Sequence, residues 1–285
     1  MKRIRNFTRL NDYFFKNLMG EPKRKRLTLD FLNTTVMTGK DEQLVDLKFK
    51  NTDVNPDRID GKLSRLDIQA IADNNKILDI EVQVSREDFM PERSAFYLSR
   101  IYGGQLLAGE EYPVLKPVIG VNLLNFKLDQ LETLPSWHNY CCLCVPHTDV
   151  IVTRHLEMHF LELPKLKISD IRNIKKSEVW GAYFSGRYSD EELEVLSMSN
   201  PLIKEALDYE AYFNSDEKLR QEYIAREEAI LDEKLRAGYN RAAGIKEGED
   251  KKAIQIATNL LKAGISNQII AQSTGLSLED IAKLK

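Results

Sequence analysis

The segment LDIQAIADNNKILDIEVQV, Leu66 to Val84, constrains this chain most, because two apolar runs meet at Asp73, Asn74 and Asn75 and must agree on a face. Val, Ile and Leu dominate both runs, and Asn and Asp tolerate the left-handed backbone of a tight turn, so the segment reads as a β-hairpin. Side chains in a strand alternate faces. Leu66, Ile68 and Ala70 therefore oppose Asp67, Gln69 and Ile71, while Leu78, Ile80, Val82 and Val84 oppose Asp79, Glu81 and Gln83. Both apolar faces are even-numbered. Directly opposed residues share a face, so a two-residue loop, which pairs even with odd, would turn one apolar face to solvent. The expectation is an odd loop, Asp73 to Asn75, or an equivalent bulge. It places Asp67 beside Glu81 or Gln83.

Two carboxylates held across a strand pair repel each other unless a cation lies between them. Oxygen ligands from Asp and Glu suit a hard ion such as Mg2+ or Mn2+, whose remaining shell comes from water and substrate phosphate. The same pattern also describes a solvated outer sheet face, and the hairpin alone does not choose between the two.

The order of motifs along the chain does choose. An Asp on one strand, followed after a tight turn by Glu-x-Gln on the next, resembles the core of the PD-(D/E)XK nucleases. NDYFFKNLMG, LTLDFLN, ERSAFYLSRIYGGQLLAGEEY, PVIGVNLLNFKL, HFLELPKLK and the tail GIKEGEDKKAIQIATNLLKAGISNQIIAQSTGLSLEDI, taken in order, resemble the Rpn family of recombination-promoting nucleases, or PD-(D/E)XK nuclease family transposases. The resemblance implies an α/β fold, a PD-(D/E)XK nuclease-like mixed sheet flanked by helices, with an all-helical C-terminal region. It implies a metal-dependent DNA endonuclease linked to recombination, mobile elements or phage defence. Asp67 and Glu81 are then the metal ligands, with Mg2+ or Mn2+ as cofactor, and Asp12 in Asp-x-x-Phe-Lys is a further acid for the metal shell. Gln83 stands where the superfamily usually has Lys, and Leu66 where a Pro usually precedes the Asp. An amide carries no positive charge and shuttles no proton, so Gln83 is left to orient water or phosphate by hydrogen bonds. Arg93, Tyr97 and Gln105 match family positions that would stabilise phosphate charge. The alternative is a catalytically weak DNA-binding or regulatory protein on a degenerate nuclease fold.

Charge supports local DNA contact only. Across 285 residues, Lys+Arg 41 against Asp+Glu 44 gives a net charge of -3, which argues against coating nucleic acid everywhere. Residues 1–26, however, hold nine basic residues against Asp12 and Glu21, and the run Lys23, Arg24, Lys25 and Arg26 is the expected phosphate-contacting surface. Apolar stretches such as VIGVNLLNF fall short of the about 18 residues that span a bilayer, and no uninterrupted apolar run follows the basic N-terminus, so a cytoplasmic protein is expected. The three cysteines, Cys141, Cys142 and Cys144, lie in WHNYCCLCVPH with His138 and His147. Adjacent ligands on a strand point to opposite faces, so the expectation is a buried strand with Cys as a small hydrophobe rather than a zinc site. HLEMH lacks the Glu after its first His that a metalloprotease helix needs, and reads as the start of a strand.

Helices are expected at 10–18 and 24–37, a longer one from Pro91 to near Gly109, and strands at 117–128 and 140–145. From Lys167 the composition turns helical and polar. Ser189 and Glu192 form a capping box, Pro201 opens a helix, and Ser215 heads another running toward Leu235. Helix, turn and helix close the chain, with Ile265, Ile269, Ile270, Leu276, Leu278 and Ile281 as core. The expected divisions are 1–166 as nuclease-like domain, 167–249 as helical extension, and 250–285 as a helix-turn-helix-like tail. So short a last helix suits packing or self-association, as a homo-oligomer, better than reading a major groove.

Overall fold

The computed structural model describes residues 4, 7–37, 43–50, 68–86 and 89–284, so Asp67 lies outside the described residues. Among them, six strands form one sheet in the order β1-β2-β3-β4-β6-β5. The strands are β1 (Leu47–Phe49), β2 (Ile68–Ala72), β3 (Ile77–Gln83), β4 (Val118–Leu124), β5 (His138–Cys144) and β6 (Ile151–Glu162). The pairings β3–β4 and β4–β6 are parallel and the others antiparallel.

The hairpin has the register that its alternation requires. Ile68 pairs with Ile80 and Ala70 with Leu78, so the even-numbered faces coincide. Its loop is the odd one expected: Asp73 to Asn75, closed by Ala72 N–H donating to Lys76 O at 2.9 Å, with Asn75 at φ 64. The three-residue strand β1, which pairs with β2, is too short to show an alternation in the sequence.

The even face of β2 and β3 builds the main core. Against it pack α1 (Asp12–Met19), α2 (Lys25–Phe31), α4 (Val179–Ser185), α5 (Asp190–Ser199) and α6 (Pro201–Ser215), through Phe14, Phe15, Phe31, Trp180 and Phe213 among others. The parallel step from β3 to β4 needs a crossover, and α3 (Met90–Gly103) supplies it on the odd face of β3. A Cβ at Gly120 would come within 2.5 Å of Leu98 Cδ1, so the missing side chain is what lets α3 sit close on β4. Both sheet faces are therefore covered. β3 is buried at every residue from Ile77 to Val82, and its odd face is not the solvated surface that its polar residues also allowed.

Contact grouping divides the chain into residues 1–223 and 224–285. α4, α5 and α6 fall in the first unit, where Trp180, Tyr183, Leu196, Ile203 and Tyr223 join the core of the sheet. Ser189 and Glu192 do form the capping box and Pro201 does open α6. Ser215 closes α6 instead of opening the next helix; Asp216 Oδ1 accepts from Leu219 N at 3.0 Å where the next helix begins. That helix, α7 (Glu217–Lys262), continues for 46 residues. In the second unit, α8 (Asn267–Thr274) and α9 (Leu278–Ala282) form the helix-turn-helix, with Gly275 at φ 74 ending α8 and Ser277 capping α9. Its core is Ala257, Ile270 and Ile281, with Leu276 packed against them. Ile265, Ile269 and Leu278, expected inside, are exposed, since helices this short bury only one narrow stripe.

Candidate active site

Asp79, Glu81 and Gln83 follow one another along the odd face of β3, beneath the N-terminal half of α3. Asp79 is 3% exposed and Glu81 4%. In register, Asp79 lies between Gln69 of β2 and Gly120 of β4, and Glu81 beside Asn122 of β4. Two carboxylates two residues apart on one buried strand face repel each other in a medium that screens poorly, so the arrangement calls for positive charge.

One such charge comes from α3, where Arg93 Nη2 stands 3.9 Å from Glu81 Oε2, at ion-pair distance but too far for a hydrogen bond. Arg93 also lies over the Tyr97 ring, 5.6 Å from its centroid. Next to it, Ser94 Oγ donates to Asn122 Oδ1 at 2.8 Å, and Asn122 Nδ2 donates to His159 O at 3.2 Å. These bonds fix the Asn122 amide beside Glu81. Gln83, at the end of the row, is half-buried and its carbonyl accepts from Asn125 N at 3.0 Å.

The structure thus brings Glu81, Gln83, Arg93 and Tyr97 together, and adds Asp79, Ser94 and Asn122, which the sequence reading did not single out. Asp79 was signalled by the alternation Asp-x-Glu-x-Gln; Ser94 and Asn122 had no signal. Gln105 stands apart. Its amide donates to Lys116 O at 3.0 Å and accepts from Lys116 N at 2.9 Å, which ties the end of α3 to the start of β4. Asp12 opens α1, whose Phe14, Phe15 and Leu18 pack in the core of the even face, while Glu81 projects from the odd face. Among the described residues no group of three or more His, Cys, Asp and Glu is placed to hold a metal. Asp67 is not among them, so the trio of Asp12, Asp67 and Glu81 is outside what that observation covers.

The run Lys23–Arg26 is a folded corner rather than a basic arm. Arg24 donates to Leu18 O and Asn17 O and lies over the Tyr209 ring at 3.7 Å. Tyr209 is pushed up to about 12, chiefly by burial, with Arg24 pulling the other way. Lys25 pairs with Asp46 and Arg26 with Glu205, whereas Lys23 is exposed.

The cysteine strand β5 is a sheet edge, half-buried to exposed, which corrects the expectation of a buried strand. All three cysteines are free, and burial pushes the Cys141 thiol up. His138 is spoken for, its Nε2 lying 2.8 Å from His159 Nδ1. HLEMH lies within a strand, β6, although that strand begins earlier, at Ile151.

Residues 9–239 match a family described as PD-(D/E)XK nuclease family transposase. Residues 250–285 match the C-terminal HTH domain of the Rpn/YhgA-like nuclease family. No curated protein and no solved structure matches the chain.

Proposed function

This chain belongs to the PD-(D/E)XK nuclease family transposases, and from that premise we propose that it is a metal-dependent endonuclease that hydrolyses DNA phosphodiesters. The observation that carries the reading is the row on β3 of buried Asp79, buried Glu81 and half-buried Gln83, with Arg93 at ion-pair distance from Glu81. An all-oxygen donor set fits a hard cation, and Mg2+ or Mn2+ needs only one or two protein carboxylates. Glu81 would hold the ion with Asp67, the residue before β2 in sequence. Bound there, the ion would polarise the scissile phosphate and lower the pKa of a water.

The chain's own groups do the rest. Gln83 orients the attacking water through its amide. Arg93, held by Tyr97 and aimed at the carboxylate row, faces the phosphate as negative charge builds on it. Water oxygen bonds to phosphorus, the bond from phosphorus to the leaving sugar oxygen breaks, and the proton released by water ends on that oxygen. Lys23 supplies phosphate contact outside the site, and the helix-turn-helix adds a second DNA-binding element. Recombination, mobile-element movement and phage defence are the settings such a nuclease would serve.

Gln83 in place of Lys favours a second reading, a catalytically weak DNA-binding protein. Supercoiled plasmid with Mg2+, Mn2+ or EDTA separates the two. Nicking should require the divalent ion and fall at least about 100-fold in Glu81→Ala, since an electrostatic group at the reacting phosphate contributes on that order. Cleavage that persists in the folded variant would remove Glu81 from the chemistry, and a wild type that fails to cut with either Mg2+ or Mn2+ would leave the second reading.

A further inference from the structure

A pocket of about 220 Å3 opens where β3 and β4 end, lined by Phe89, Met90 and Pro91 on the side of α3 and by Phe126 and Gln130 on the other. It adjoins the carboxylate row: Gln83 O holds Asn125, the residue before Phe126, while Met90 and Leu124 share one apolar cluster. Phe89 is unusual in two respects. Its ring is 74% exposed, and its backbone is left-handed, at φ 63, in the N-cap position of α3 with no side-chain cap bond. An exposed ring adds little packing, and a left-handed non-glycine residue costs stability, so the fold gains nothing from Phe at this position.

The other lining charges decide what the ring is for. Arg86 and Lys127 are balanced by Glu92 and Asp129, and Arg86 is ion-paired to Asp129. A rim with no net charge does not select a bare phosphate. Phe89, Phe126 and Pro91 offer flat apolar surface, and Gln130 offers an amide donor and acceptor. That chemistry suits a nucleobase, which stacks on an aromatic side chain whatever its identity.

We infer that this pocket receives one unpaired nucleobase of the DNA, stacked on Phe89, so that the enzyme prefers DNA that is mismatched or single-stranded beside the bond it cuts. The inference rests on the nuclease reading above, because the pocket matters only if DNA lies along β3. A paired base must first leave its stack, and an unpaired one is spared most of that cost.

The test uses the full chain in Ca2+ buffer and oligonucleotides carrying 2-aminopurine either paired or opposite an abasic site. Binding of the unpaired probe should be tighter by roughly tenfold or more, and should quench its fluorescence as the base stacks. Phe89→Gly should abolish preference and quenching while raising the melting temperature by a few degrees, because glycine adopts this backbone freely. Phe89→Tyr should keep both. A structural Phe89 would instead give a Phe89→Gly protein that melts lower, and that result, or unchanged preference and quenching in Phe89→Gly, overturns the inference. Plasmid nicking without any preference for the unpaired probe overturns it and leaves the nuclease intact. Failure to bind either probe or to nick plasmid overturns both.

Discussion

Gln83 is where the chemistry of this site departs furthest from its superfamily. It closes the row that Asp79 and Glu81 begin, half-buried, where Lys would bring a charge. If the amide acts by orienting water or phosphate, Gln83→Lys keeps the nicking rate or raises it, since the ammonium supplies the charge the superfamily normally uses. A complete loss of cleavage with metal binding intact would show that a neutral hydrogen bond is required. Strand alternation made this row legible in the sequence, Asp79 included. It did not make the burial legible. A row of polar residues looks the same under water and under α3, and only the crossover helix, through contacts far apart in sequence, distinguishes them.

At the level of elements, the turn between α1 and α2 separates charge from its use. Four consecutive basic residues read as a phosphate-binding surface, yet Arg24, Lys25 and Arg26 are each engaged by the protein itself. Arg24→Ala should therefore destabilise the fold by about 1–2 kcal/mol, through lost carbonyl bonds and the lost ring contact with Tyr209. Lys23→Ala should change stability by less than about 0.5 kcal/mol and weaken DNA binding with a shallower salt dependence. Urea unfolding and salt-dependent DNA titrations of the two variants check this; reversed effects would return the phosphate contact to Arg24. Helix ends in the tail are marked chemically, by the left-handed Gly275 after α8 and by the Ser277 side chain, which accepts from Asp280 N at the start of α9. The length of α7 was not legible in the sequence. The sequence reading carries that helix only toward Leu235, whereas it runs on through Gly238, Gly244 and Gly248, although glycine costs about 1 kcal/mol relative to alanine at such positions.

Over the whole molecule, the layers explain where Asp79 and Glu81 are placed. The sheet carries its large aromatic core on one face and α3 on the other, and the face under α3 holds Asp79 and Glu81 where water does not screen them. The sequence showed the class of fold and the hairpin at its centre, but not that α4, α5 and α6 belong to the same unit, because their polar composition hides the narrow stripe that joins the core. If that buried face binds a cation as proposed, the ion would stabilise the folded chain by mass action, about 2.7 kcal/mol at 100 times its dissociation constant. The direct measurement is the melting temperature of the wild type and of Glu81→Gln across a Mn2+ titration. The account predicts a rise of roughly 5–10 °C for the wild type at saturating ion and none for Glu81→Gln; an equal rise in both would contradict it, because the ion would then be held without the carboxylate on which the site is built.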